Sequence, residues 1–160
     1  MKKIIAAAVT VLLALAASAQ SGKAIYNKYS DADDVSAVYI SPAMFRMIGK
    51  IPSLSIEGDE INLGSIINSL SGMYILDSSN RGINSSLKKD AEKFIEKGQY
   101  ELLMEAKDNG ETTRMYTMGD KKTVTGLVML TSDSSACTFI GIEGQMDRAA
   151  LEKILSQSDR

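Results

Sequence analysis

The chain has 160 residues, 18 basic and 20 acidic side chains, a net charge of −2, no histidine and no tryptophan. That balance argues against nucleic-acid binding, which needs clustered cations to neutralise phosphates. The missing histidine removes Ser-His-Asp and Cys-His machinery and the usual zinc sites, and a lone cysteine, Cys137, removes any intramolecular disulfide.

Lys2 and Lys3 precede the fourteen-residue, largely apolar run Ile4–Ala17, which closes on Ala17-Ser18-Ala19, the small-x-small pattern of a signal-peptidase site. Residues 1–19 therefore read as a secretory signal peptide, and 20–160 as a single domain. The run is too short to cross about 30 Å of hydrocarbon. The mature chain is accordingly expected to be soluble and extracytoplasmic, in the periplasm, with no transmembrane segment. Losing Lys2 and Lys3 takes its net charge from −2 to −4. Its 141 residues are enough for one hydrophobic core.

In chain order, Gly22–Tyr29 has the makings of a short helix. Asp31, Asp33 and Asp34 lack the glycine and distant glutamate of an EF-hand loop and read as a solvated turn. Val35–Ile40 has too many apolar residues for a strand wet on either side, which predicts a central strand. Ser41-Pro42 then starts a helix, the serine capping orphan amides and the proline bringing a preset φ, and Gly49 suits a left-handed residue just past its end. Lys50–Glu60 reads as a loop with a short extended piece at Leu54–Ile56. Asn62 is placed to cap a helix whose Leu63, Ile66, Ile67 and Leu70 form one apolar stripe ending at Gly72. Met73–Leu76 is fit for a strand. The longest helix is expected to be capped by Asn84, Ser85 or Ser86 and to end at Gly98, with Leu87, Ala91, Phe94 and Ile95 inward.

From Tyr100 to Met146 come four strand-like runs separated by Asp108-Asn109-Gly110, by Gly119 to Lys122, and by Ser132 to Ser135. Such short connections join antiparallel neighbours, because a parallel crossover needs a dozen or more residues. Asp147 caps a last helix with Ala150, Leu151, Ile154 and Leu155 buried. The fold class is therefore α+β: an antiparallel sheet with a C-terminal four-stranded meander and helices packed mainly on one face.

Chemistry-bearing motifs are sparse. Ser86-Leu87-Lys88-Lys89 matches S-x-x-K, but its Ser-Asp-Asn and Lys-Thr-Gly companions are missing. Met44/Met47 and Met115/Met118 each read M-x-x-M, and thioethers of that kind more often fill gaps in cores than bind copper. No glycine-rich phosphate loop is present. Catalytic residues, cofactor and metal are all expected to be absent. The helix carrying Met44, Phe45, Met47 and Ile48 is apolar over about half its circumference, so it is either sandwiched in the core or partly exposed for a partner.

The segments DDVSAVYISPAMFRMI (33–48), YELLMEAKD (100–108), MYTMGD (115–120) and TGLVML (125–130) together resemble the domain of unknown function 4252 family of secreted or lipid-anchored proteins from Bacteroides-type bacteria. The resemblance implies a cell-envelope setting and a small α+β domain, and it carries no functional residue over. Where relatives have a lipid-attachment cysteine after the signal, this chain has Ala19-Gln20.

Three functional readings follow. The first is a non-enzymatic envelope protein that binds another protein through Met44, Phe45, Met47 and Ile48, with loop Lys50–Glu60 alongside. The second is a carrier of an apolar ligand between sheet and helices, suggested by eight methionines in the mature chain. The third is a hydrolase or lyase whose chemistry rests on a converging pair of carboxylates.

Overall fold

A computed structural model describes residues 21–49 and 63–157, with the side chains of 154–157 excepted. The leader, the loop Lys50–Glu60 with its extended piece, the Asn62 cap and the inward Ile154 and Leu155 lie outside what is described. The elements are α1 (Gly22–Tyr29), β1 (Val35–Ile40), α2 (Pro42–Ile48), α3 (Leu63–Asn68), β2 (Leu70–Ser78), α4 (Arg81–Lys97), β3 (Glu101–Asp108), β4 (Glu111–Gly119), β5 (Thr123–Ser132), β6 (Cys137–Asp147) and α5 (Arg148–Gln157). The strands form one six-stranded sheet in the order β1-β2-β6-β5-β4-β3, each pair of neighbours antiparallel. The meander β3 to β6 is present, and its last strand pairs with β2 in the middle of the sheet.

One sheet face carries the core. Tyr74, Leu76, Val128, Leu130, Cys137 and Phe139 point from β2, β5 and β6 toward Ile25 and Tyr29 of α1 and Leu87, Ala91, Phe94 and Ile95 of α4. Leu76, Leu87, Ala91 and Phe139 are wholly inaccessible, so the middle of the layer between sheet and helices is closely filled by side chains. The two helices are also tied to each other, Tyr29 Oη donating to Asp90 Oδ2 at 2.7 Å beside a Lys28–Asp90 ion pair. Cys137 sits beneath this layer, 1% exposed, and burial pushes its thiol up to about 11. Thiolate, not thiol, is the nucleophile. An aromatic disulfide reagent at neutral pH is therefore expected to leave Cys137 unmodified in the folded protein and to react stoichiometrically after denaturant is added. Rapid reaction under native conditions would contradict the packing.

The turns behave as their residues dictate. Asn109 (φ 46°) and Gly110 (φ 90°) form a two-residue reversal with both centres left-handed, the geometry that matches strand twist, and Asp108 pairs directly with Glu111. Asp120 Oδ1 accepts the amides of Lys122 (2.7 Å) and Thr123 (2.8 Å). Asp133 Oδ1 accepts those of Ser135 and Ala136, and these amides hold both carboxyls below the usual carboxylate range. Ser41 Oγ accepts from the Met44 amide with Pro42 at the first helical position, and Asp147 Oδ1 accepts from the Ala150 amide to start α5.

Four expectations are corrected. β1 lies at the sheet edge rather than in its centre. Val35 and Ala37 pack on the core, Tyr39 stacks on Tyr74 at 5.3 Å, and Val38 stays 47% exposed, so the apolar content reflects one core face plus exposed apolar surface. The helix expected to run through Leu70 stops at Asn68. Leu70 and Gly72 belong to β2 because that backbone pairs with Gly144 and Glu143, and a Cβ at Gly72 would meet Tyr74 Oη at 2.7 Å. The cap of α4 is Asn80, whose Oδ1 accepts from Gly82 N at 2.9 Å. Asn84 lies inside the helix, accepting from Ser78 Oγ and donating to Ser135 O. Gly49 is right-handed (φ −64°); its lack of a side chain makes room for Asn68, whose Oδ1 would be 2.4 Å from a Cβ there.

Candidate interaction surface

The apolar residues named in the sequence analysis divide between two sides of α2. Phe45 is 6% exposed and Ile48 is half-buried, whereas Met44 and Met47, three apart on the same side of the helix, are 48% and 69% exposed. The helix is anchored by the first pair and displays the second. Exposed Val38 and Tyr39 of β1 immediately precede it in the chain, and Lys23 Nζ lies 5.7 Å from the Tyr39 ring centre. Met115 and Met118 point to opposite faces of β4, since Met115 opposes Met129 and Met118 opposes Gly126.

A larger apolar feature lies on the opposite sheet edge, where sequence reasoning placed an ordinary meander strand. In β3, Leu102, Leu103 and Met104 are 54%, 50% and 46% exposed. Leu102 pairs with Tyr116 and Met104 with Met115, so Leu103 is an extra residue inserted as a β-bulge. Every residue of β3 is exposed, on the regular stretch Glu105–Asp108 as well as at the bulge, so neither face of this strand is covered. As an edge strand, β3 has one neighbour among the described residues, and along its outer side backbone N–H and C=O groups have no described strand to pair with. The sequence did hold a signal: three consecutive large apolar residues bracketed by Glu101 and Glu105, a pattern that fits neither a half-buried strand nor a solvated one.

Charges beside the triplet are already used within the chain. Arg114 Nε donates to Glu105 Oε2 at 2.6 Å and reaches Glu92 of α4 at 3.8 Å, while Lys107 Nζ lies 2.9 Å from Glu105 Oε1. Lys107 and Arg114 together hold the Glu105 carboxyl below its usual range. This network clamps β3 onto β4 without covering Leu102 to Met104.

Asp90, Glu105, Asp120 and Asp133 are engaged by cations or backbone amides. Ser86 and Lys89 of the S-x-x-K match are both exposed on α4. Among the described residues no group of three His, Cys, Asp or Glu side chains is placed to hold a metal ion, and no helix is long and apolar enough to cross a membrane.

No curated protein and no solved structure matches the chain. A family model described as Domain of unknown function (DUF4252) matches residues 29–154, from the last residue of α1 into α5. That span takes in all six strands and the apolar edge, and the chain belongs to the DUF4252 family.

Proposed function

We propose that this is a non-enzymatic, extracytoplasmic interaction module that takes up another polypeptide by adding it to the β3 edge. The observation that carries the reading is the run Leu102-Leu103-Met104, half-exposed on a strand with an open side. Strand addition draws affinity from main-chain hydrogen bonds and specificity from alternate side chains, and β3 supplies both. Free edges of this kind are usually blunted by charge or proline at the centre; here the centre is apolar. Met44 and Met47 supply a second apolar contact on the other side of the domain. The non-enzymatic part is supported by the absence of histidine and by the buried thiol. The extracytoplasmic part is supported by the Lys2-Lys3 leader with its Ala17-Ser18-Ala19 ending.

A photo-activated cross-linking residue placed at position 103 in the native host is expected to yield a discrete protein adduct, and one placed at exposed Lys93 of α4 is not. Leu103→Lys should abolish that adduct while leaving the thermal midpoint nearly unchanged, because an exposed substitution costs within about 0.5 kcal/mol. Met47→Glu, equally neutral for stability, reports whether the second patch belongs to the same interface. Absence of any adduct at position 103 removes the β3 reading.

A further inference from the structure

A cleft of about 490 Å³ opens at the end of the sheet, between the start of α1 and the end of α4. It is lined by Ser69, Ser71, Phe94, Tyr100, Thr125 and Glu143, among others. Glu143 is the single charged side chain in that lining. It is half-buried, its Oε1 accepts one hydrogen bond, from Gly22 N at 2.9 Å, and among the described residues no lysine or arginine comes within ion-pair distance. An ionised carboxylate offers about four acceptor positions. The α1 amide and the positive end of that helix satisfy part of the demand, leaving the second oxygen without a hydrogen bond from the described residues.

The surroundings keep the carboxylate uncovered. Glu143 is flanked in register by Gly72 of β2 and Gly126 of β5, so neither neighbour has a side chain to lay over it. The freed space is taken by two phenols: a Cβ at Gly126 would stand 2.5 Å from Tyr100 Oη, as one at Gly72 would crowd Tyr74 Oη. Burial, and then the charge of Glu143, push both phenols up to about 12, so they remain protonated donors across the working pH range. Phe94 and Tyr100, with ring centres 5.4 Å apart, form an aromatic wall, and the hydroxyls of Ser69, Ser71 and Thr125 add neutral acceptors.

We infer that this cleft is a binding site for a primary alkylammonium group, with Glu143 as its counter-ion and Phe94 and Tyr100 as the wall against its stem. The ammonium brings the positive charge that the lining lacks, with three donors for the Glu143 carboxylate and the hydroxyl oxygens around it, and the ring faces favour a cation with a short methylene chain. Anions are disfavoured, because the lone charge present is negative. Two sources share this chemistry: a free amine, and the lysine side chain of a polypeptide.

The test is an amide-detected NMR titration of the folded chain with n-butylammonium chloride, n-butanol serving as the uncharged isostere. The expected result is a saturable shift of the Gly22, Gly144 and Gln145 amides with the cation and none with the alcohol. Glu143→Gln keeps the acceptor for Gly22 N and is expected to weaken binding at least tenfold without lowering the thermal midpoint appreciably. Nα-acetyl-lysine-N-methylamide should bind in the same place. A lysine-containing pentapeptide that binds more tightly and also shifts Glu101 to Met104 assigns the polypeptide source, and equal affinity assigns the free amine. No shift with the cation, or equal shifts with cation and alcohol, overturns the inference; that comparison needs no variant and stays decisive should Glu143→Gln fail to fold.

Discussion

Phe139→Ala is expected to remove about 3–5 kcal/mol of folding free energy, a drop of roughly 10–20 °C in thermal midpoint for a domain of this size. Phe139 is wholly inaccessible near the start of β6, opposite Leu76 on one side and Leu130 on the other. Its ring meets Phe94 of α4 edge-on at 6.2 Å, and Gly141 two residues on gives it room, a Cβ there lying 3.2 Å from the ring tip. Truncation therefore deletes contacts to two strands and a helix at once, and close-packed neighbours recover little of the void. With total stabilities of about 5–15 kcal/mol for native domains, the variant should be marginal. Urea unfolding followed by circular dichroism gives the number. A loss below about 1 kcal/mol, the range of volume-conserving changes, would mean that α4 does not seal this face as described.

Gly119→Ala should be the most damaging single-methyl change in the turns. Gly119 has φ 151°, and an added Cβ would lie 2.1 Å from the carbonyl oxygen of Thr123 and 2.8 Å from the Val124 Cα. Both obstacles are backbone, so no rotamer change relieves them. The strained conformation alone costs of order 1–3 kcal/mol, and displacing the β4–β5 reversal adds to it, disturbing the Asp120 turn and the Arg148 Nε hydrogen bond to Asp120 O. Gly110→Ala is the informative comparison. At φ 90° with nothing within 4 Å of a Cβ, it bears the conformational cost without the collision. Chemical denaturation should rank Gly119→Ala clearly below Gly110→Ala, and the reverse order would show that the β4–β5 turn is free to rearrange.

Local features were legible in the sequence because local chemistry decides them. Asn109-Gly110, Ser41-Pro42 and Asp147 each act within four residues of themselves, and each did what its side chain dictates. The meander was legible for the same reason, since loops this short leave a strand no choice of neighbour. Legibility failed where a distant partner decides. Leu70 continues an apolar helical stripe on paper and Gly72 looks like its end, but pairing with β6 draws both into β2. Asn84 looks like a cap until Ser78 and Ser135 claim its amide. β1 looks central, but among the described strands it pairs with β2 alone. The candidate surface was half-visible: Met44 and Met47 stood out as apolar, Phe45 and Ile48 beside them proved to be anchors, and the β3 edge depends on strand order, which no local pattern encodes. Glu143 was unreadable for a related reason, as its significance comes from two glycines on other strands.

The strand order also sets a timetable. β6, the final strand, is the one that joins β2 to β5; without it the β1–β2 pair and the β3–β4–β5 ladder share no hydrogen-bonded boundary. Pairing Leu76 with Phe139 closes a loop of more than sixty residues, an entropic cost met late in folding. A nascent chain still lacking residues 137–147 therefore has two incomplete halves and no continuous sheet. The sheet is completed only once residues 137–147 have been made, which keeps its two halves apart until then.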